Sequence, residues 1–175
     1  MDDRTASVLR VLGVQAALVS AAIHLIEGLP RLFVYLPLLS VRDPRPYLFV
    51  PSALLLVALA TLIVRGARHR RLYSLTAGVL LAYSAGYAWW HLTDHGGLVP
   101  SHEVANPVGE VLAHLASDPV ALVAFAAQAV GVAAFLALFV ADPDLPGNDG
   151  GDAGAGAAAR AADAGGDEVG ATGDE

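Results

Sequence analysis

Long apolar runs separated by short polar connections make up most of this chain. Residues 46–64, 72–90 and 119–141 contain no aspartate, glutamate, lysine or arginine, whereas residues 7–26 contain Arg10 near one end and His24 near the other. A helix needs about 20 mostly apolar residues to cross a bilayer core of about 30 Å, and each run has that length. The pattern predicts an all-α integral membrane four-helix bundle, with spans at about residues 7–26, 46–64, 72–91 and 119–141.

A further apolar stretch, residues 29–41 (LPRLFVYLPLLSV), is too short to cross a bilayer and contains Pro30 and Pro37. Proline removes a backbone donor and breaks or kinks a helix. The stretch therefore predicts a short interfacial or re-entrant segment after helix 1. The alternative is a kinked extension of that helix.

Small residues mark the faces by which the helices are expected to pack, since helices associate in lipid through close approach and polar contacts. The third span carries a small-residue ridge at a strict spacing of four: Ser74, Gly78, Ala82 and Gly86. We expect this ridge to contact another helix, with a membrane-protein partner or a second copy of the chain as candidates. Gln128, deep in the fourth span, is expected to make an interhelical hydrogen bond, or else to line a pathway.

The charge of the chain is concentrated at its C-terminal end. The protein has a net charge of −7, and nine of its 17 acidic residues follow residue 141, against Arg160 alone. Residues 142–175 therefore form a predicted disordered acidic tail rich in glycine and alanine, which cannot bury enough apolar surface to fold. With no basic cluster beyond one short connection, nucleic-acid binding has no support. The absence of cysteine excludes disulfides and thiolate ligands.

The arginines give the orientation, because short cytoplasmic loops carry an excess of positive charge. Residues 65–71 (RGARHRR) contain four arginines, and residues 95–117 contain none. We therefore predict a multi-pass protein of the cell membrane with both termini and the arginine-rich connection in the cytoplasm. Three arginines on the opposite side weigh against this orientation: Arg31, Arg42 and Arg45. A signal peptide within residues 1–22 is an alternative that leaves three spans.

In that topology, five of the six histidines lie on the outer side of the membrane. His91 and His95 share a helical face next to Asp94, and His24 and Glu27 form a second pair, three residues apart on the first span. Imidazole and carboxylate ligands from two helices suit zinc, copper or iron. The sequence predicts a metal site composed of His24, Glu27, His91, Asp94 and His95.

Other roles for the histidines remain open. A haem could be held by His24 and one histidine of the third span, the residues could relay protons, or they could simply anchor the interface. Residues 107–116, including His114, have helical apolar spacing and are expected to form a short lid. Three functions follow as hypotheses: a metal-binding membrane protein, a non-enzymatic accessory subunit, and a membrane-embedded metal hydrolase using Ser20 or Ser84. Standard catalytic motifs are absent, so enzyme activity stays undecided.

Three stretches, AAIHLIEGLPRLF, RGARHRRL and WWHLTDHGGLVP, carry a histidine in the first helix, an arginine-rich turn and a Gly-Pro outer loop. In this pattern the chain resembles small four-span prokaryotic membrane proteins of unassigned function, of the haloarchaeal or actinobacterial type. The resemblance covers about 100 residues. It implies a four-helix bundle and transfers no activity and no site residue.

Overall fold

The structure, a computed structural model, describes residues 1–38, 43–93 and 106–142. Those residues form helices and short connections, with no strand among them. The helices are α1 (Asp3–Tyr35), α2 (Arg45–Val64), α3 (Arg70–Leu92), α4 (Pro107–Ser117) and α5 (Pro119–Ala141). The all-α prediction is therefore confirmed for this part of the chain. Of the predicted acidic tail, only Asp142 belongs to the described residues.

Local side-chain chemistry fixes where several helices begin and end. The Asp2 carboxylate accepts a hydrogen bond from the Thr5 amide, and the Asp118 carboxylate accepts from the amides of Val120 and Ala121, so each caps a helix N-terminus. α2 ends at Val64, and Gly66 in the turn that follows has a φ of 90°, which is favourable only without a side chain. This turn reverses the chain between α2 and α3.

Three of the described helices are long and apolar enough to cross a membrane, namely α1, α2 and α5. They support the predicted association with a lipid bilayer. α3 is as long as α5, at 23 residues, but its tyrosine, serine and tryptophan side chains make it less apolar. Length and composition together thus support three spans, where the sequence predicts four.

The segment after the first span is helical rather than a separate interfacial piece. α1 continues to Tyr35 and passes through Pro30. Up to Tyr35 the segment is therefore an extension of the first helix, as in the alternative of a kinked extension. An interfacial position of this part of α1 stays a prediction. One proline is tolerated because it removes a single hydrogen bond from a helix that is otherwise continuous. Residues 39–42 lie outside the described part.

α1 occupies the central position in the packing. It packs along α2 on one side and along α5 on another, and α3 packs along α5. Gly13 of α1 allows this approach, since a Cβ there would lie 3.0 Å from the Phe135 ring. Gly131 of α5 does the same against α3, because a Cβ would lie 2.6 Å from a methyl group of Leu80. These glycines, and not those of the small-residue ridge, mark the close helix contacts.

The small-residue ridge faces outward in the described structure. Its four members, Ser74, Gly78, Ala82 and Gly86, are exposed. A Cβ at Gly78 or Gly86 would meet no described atom within 4 Å. No other described helix of this chain covers the ridge, because α3 turns its Thr76, Ala77 and Leu80 face inward instead. Contact of the ridge with a helix of a partner stays a prediction.

A buried charge cluster joins three helices at one end of the bundle. The Arg10 guanidinium donates to both carboxylate oxygens of Asp142, at 2.5 and 3.3 Å, and the Tyr73 hydroxyl donates to the same carboxylate at 2.7 Å. The Asp142 side chain is completely buried. Asp142, which the sequence assigned to the acidic tail, is therefore a structural partner of α1 and α3. The cluster also places the starts of α1 and α3 and the end of α5 together.

We predict that Asp142→Ala lowers the free energy of unfolding by about 3–5 kcal/mol, because it leaves the Arg10 charge without its buried partner. The measurement is denaturant unfolding of the purified protein in detergent, followed by circular dichroism. Asp3→Ala, which removes an exposed carboxylate from the first turn of α1, is the matched control and should change little. Combining Arg10→Asp with Asp142→Arg should recover part of the lost stability. Equal free energies of unfolding for Asp142→Ala and Asp3→Ala would contradict the prediction.

Candidate functional site

His24 lies in an aromatic cluster formed by three helices. Its ring stacks on Tyr83 of α3 with centroids 3.6 Å apart and meets the edge of Phe49 of α2 at 4.7 Å. Its Nδ1 lies 2.8 Å from the Ser20 carbonyl oxygen. A carbonyl can only accept, so in the neutral ring Nδ1 carries the proton and Nε2 carries the lone pair. The Tyr83 hydroxyl in turn lies 2.7 Å from the Ser52 hydroxyl.

A second polar group crosses the bundle at Gln128. Its side-chain oxygen accepts a hydrogen bond from the Ser84 hydroxyl at 2.7 Å, and its amide nitrogen lies 3.5 Å from the Ser20 hydroxyl. The interhelical hydrogen bond predicted for Gln128 is therefore confirmed. Both serines proposed as hydrolase nucleophiles are bonded to this amide, which has no basic nitrogen to activate a hydroxyl. This arrangement gives the hydrolase hypothesis no support.

Charged pairs surround the opposite end of the bundle from Asp142. Glu27 pairs with Arg31, one turn further along α1, at 3.1 Å, and both side chains are partly exposed. Arg45 binds the Asp43 carboxylate through two nitrogens and places its guanidinium 4.2 Å from the Trp90 ring. The hydrogen bonds from Arg45 hold the pKa of Asp43 below its ordinary value, so this carboxylate is ionised at neutral pH.

His91, in the last turn of α3, is brought against α4. Its ring lies 4.4 Å from the Tyr87 ring and 4.4 Å from the His114 ring, measured between centroids. His114 Nδ1 lies 2.9 Å from the Glu110 carbonyl oxygen and 3.5 Å from its carboxylate. Because Nδ1 of His114 faces these acceptors, Nε2 carries the free lone pair in the neutral ring and is the nitrogen that can bind a ligand.

The structure does not bring the predicted metal ligands into one site among the described residues. His24 stacks on Tyr83, which lies eight positions before His91, or about 12 Å along α3 at 1.5 Å per residue. Glu27 is engaged with Arg31. Asp94 and His95 lie outside the described residues. Within the described part, no group of three or more histidine, aspartate and glutamate side chains is arranged to hold a metal ion.

Two ring contacts, of His114 with His91 and of Tyr83 with His24, are not predicted from the sequence. His114 was expected only in a lid, yet its ring contacts His91. The signal was the spacing of Glu110 and His114, four apart on an amphipathic stretch, which places a carboxylate next to an imidazole. Tyr83 gave no comparable signal, because a tyrosine in an apolar span is equally compatible with lipid or with a neighbouring helix.

Apart from the exposed His69 before α3, the described histidines lie in two separate environments, one enclosed between helices and one half-exposed at the end of α3. Comparison with protein families, curated proteins and solved structures finds no match to the chain. The resemblance to small four-span membrane proteins therefore stays a prediction. The functional argument rests on the chemistry of these side chains.

We predict that Tyr83→Ala lowers the free energy of unfolding by about 3–5 kcal/mol, since it removes a large ring from between α1 and α2. Tyr83→Phe is the matched control, because it keeps the ring stacked on His24 and removes only the hydroxyl bonded to Ser52. Its expected cost is about 1 kcal/mol. Denaturant unfolding in detergent measures both. Similar losses for the two variants would show that the hydroxyl, and not the ring, holds the cluster together.

Proposed function

We propose that the chain is a four-span membrane protein that binds a divalent transition metal at the outer ends of α3 and α4. The observation that carries the proposal is the contact between the rings of His91 and His114, two residues 23 positions apart on different helices. Imidazole nitrogens are good ligands for zinc and copper, whereas Mg²⁺ and Ca²⁺ prefer oxygen.

The positions of polar groups along α3 support its role as a fourth span. Arg10 and Glu27 bound a portion of α1 without aspartate, glutamate, lysine or arginine, and Tyr73 and Trp90 bound a portion of α3 with the same number of residues. Each portion is about 26 Å long at 1.5 Å per residue, close to the thickness of the hydrocarbon core. Because Arg10 contacts the same carboxylate as Tyr73, while His24 stacks on Tyr83, α1 and α3 run in the same direction.

The arginine-rich connection between α2 and α3 gives the orientation of this bundle. By the positive-inside rule it faces the cytoplasm, so both termini are cytoplasmic and the His91–His114 pair faces outward. The end of α3 with His91 and the end of α4 with His114 are then accessible from the extracytoplasmic solution. The side chain of His114 is about 41% exposed, which allows an ion to reach it without crossing the bundle.

His114 has the outer-shell support that metal-binding histidines usually have. A ligating imidazole commonly donates its second N–H to a carbonyl or a carboxylate, which fixes the tautomer and the ring orientation. Glu110 supplies both acceptors on the Nδ1 side of His114. We therefore assign Nε2 of His114 and a nitrogen of His91 as ligands and Glu110 as the positioning residue. Water would complete the coordination, as at zinc sites with open positions.

Zinc titration calorimetry on the purified protein in detergent tests the site. His91→Ala and His114→Ala should each lower zinc affinity by more than the roughly 10–100-fold typical of losing an outer-shell partner. Glu110→Gln should lower it by about 10-fold, because the His114 orientation is less well fixed. Affinity should also fall as the pH is lowered from about 8 to about 5, since protonated imidazole does not bind a metal.

His24→Ala is the control, because His24 is enclosed by Tyr83 and Phe49 and should leave zinc affinity unchanged. If His24→Ala abolishes binding while His114→Ala does not, the five-residue site predicted from the sequence is the better assignment. Stoichiometric zinc in the His91→Ala/His114→Ala double variant would refute the site assigned here.

A second candidate function is that of an accessory subunit in a larger membrane complex. The small-residue ridge favours it, because Gly78 and Gly86 are exposed and a Cβ at either would meet no described atom. In lipid, such a face permits the close backbone approach that drives helix association. The partner would be another membrane protein or a second copy of this chain.

Gly86→Leu distinguishes a ridge that binds a helix from one that faces lipid. We predict that this change leaves the unfolding temperature of the monomer unchanged but reduces association, measured by size-exclusion chromatography with light scattering or by co-purification from the native membrane. Gly131→Leu should instead destabilise the monomer, since its side chain would collide with Leu80. Unchanged association of Gly86→Leu would remove the support for this function.

A further inference from the structure

α4 is attached to the rest of the bundle by few side chains. Leu115 is its only buried residue. Two apolar side chains one turn apart on α4, Val108 and Leu112, are 69% and 59% exposed. The ring contact between His114 and His91 joins α4 to the end of α3.

One residue separates α4 from α5. Asp118 follows Ser117 and precedes Pro119, and its extended backbone, with φ −121° and ψ 97°, interrupts the helical path. Its carboxylate caps α5, so α5 keeps its first turn whatever the direction of α4. A single non-helical residue between two helices is a position where a direction change can be absorbed.

His114 lies one turn before this junction, and Val108 lies ten positions before it, about 15 Å along α4. A small rotation at Asp118 therefore moves Val108 far more than it moves His114. An ion bound by both His91 and His114 has to keep the two rings around one centre, because each metal–nitrogen bond is about 2.0–2.1 Å long.

We propose that metal binding at His91 and His114 locks α4 against the end of α3, so that α4 is a metal-responsive cover of this end of the bundle. This inference rests on the proposed function. The ion binds the arrangement with both rings in reach and has no such interaction with arrangements in which α4 swings away. Binding therefore shifts the population towards the locked arrangement.

The absence of cysteine makes a distance measurement straightforward. Spin labels are attached at Val108→Cys on α4 and Leu81→Cys on α3, two exposed positions away from the histidines. The full chain is reconstituted in lipid nanodiscs, and the label-to-label distance is measured by pulsed electron paramagnetic resonance during a zinc titration. We expect one narrow distance at saturating zinc and a broader distribution, with added longer distances, after zinc is removed by a chelator.

Zinc titration calorimetry on the same labelled samples separates the proposed metal site from the proposed locking of α4. If zinc binds and the distance distribution does not change, the proposed locking of α4 is wrong, while the proposed metal site is still supported. If zinc does not bind to the unlabelled protein either, both are wrong. In the His91→Ala/His114→Ala background zinc should leave the distribution unchanged; a zinc-dependent narrowing that persists there would assign the movement to another site and overturn the inference.

Discussion

Inside a bilayer, each polar side chain has to find its partner within the protein, because hydrocarbon offers none. No buried side-chain nitrogen or oxygen among the described residues lacks a hydrogen-bond partner. Polar side chains of α1 contact other helices at three levels: Arg10 bonds Asp142, the Ser20 hydroxyl lies 3.5 Å from the Gln128 amide nitrogen, and the His24 ring stacks on Tyr83. α1 takes part at every level, so the positions of α2, α3 and α5 all depend on how its polar face is satisfied.

The same constraint distinguishes His24 from His114. His24 and His114 both bring Nδ1 to the carbonyl of the residue four positions earlier. His24 is then enclosed by aromatic rings, so its role is to hold three helices together. His114 makes the same local contact at a half-exposed position, beside a second histidine. The difference in surroundings follows from the neighbouring helices and not from the local sequence, which is why a count of histidines on one side of the membrane could not separate them.

The sequence predicted the helices better than their contacts. Apolar runs have visible ends, so the predicted bounds 46–64 and 119–141 differ from α2 and α5 by at most one residue. Contacts depend on how each helix is rotated about its axis. The spacing of Gly78 and Gly86 shows that a helix could approach there, but it does not show that one does. Asp142 resembles the acidic residues of the tail that follows it, and its bonds to Arg10 and Tyr73, 132 and 69 positions away, make it part of the core.

The two ends of the described bundle are built from different kinds of polar contact. At the end that contains Asp142, the ion pair joins α1 to the end of α5, and Tyr73 adds α3. At the other end, the acidic side chains pair within four positions of themselves, as Glu27 does with Arg31 and Asp43 with Arg45. Ring contacts also join elements there, from Arg45 to Trp90 and from His91 to His114. Local pairs survive when helices shift relative to one another, whereas a buried ion pair between helices does not. The end that carries the histidine pair can therefore rearrange without breaking the Arg10–Asp142 ion pair, as the proposed movement of α4 requires.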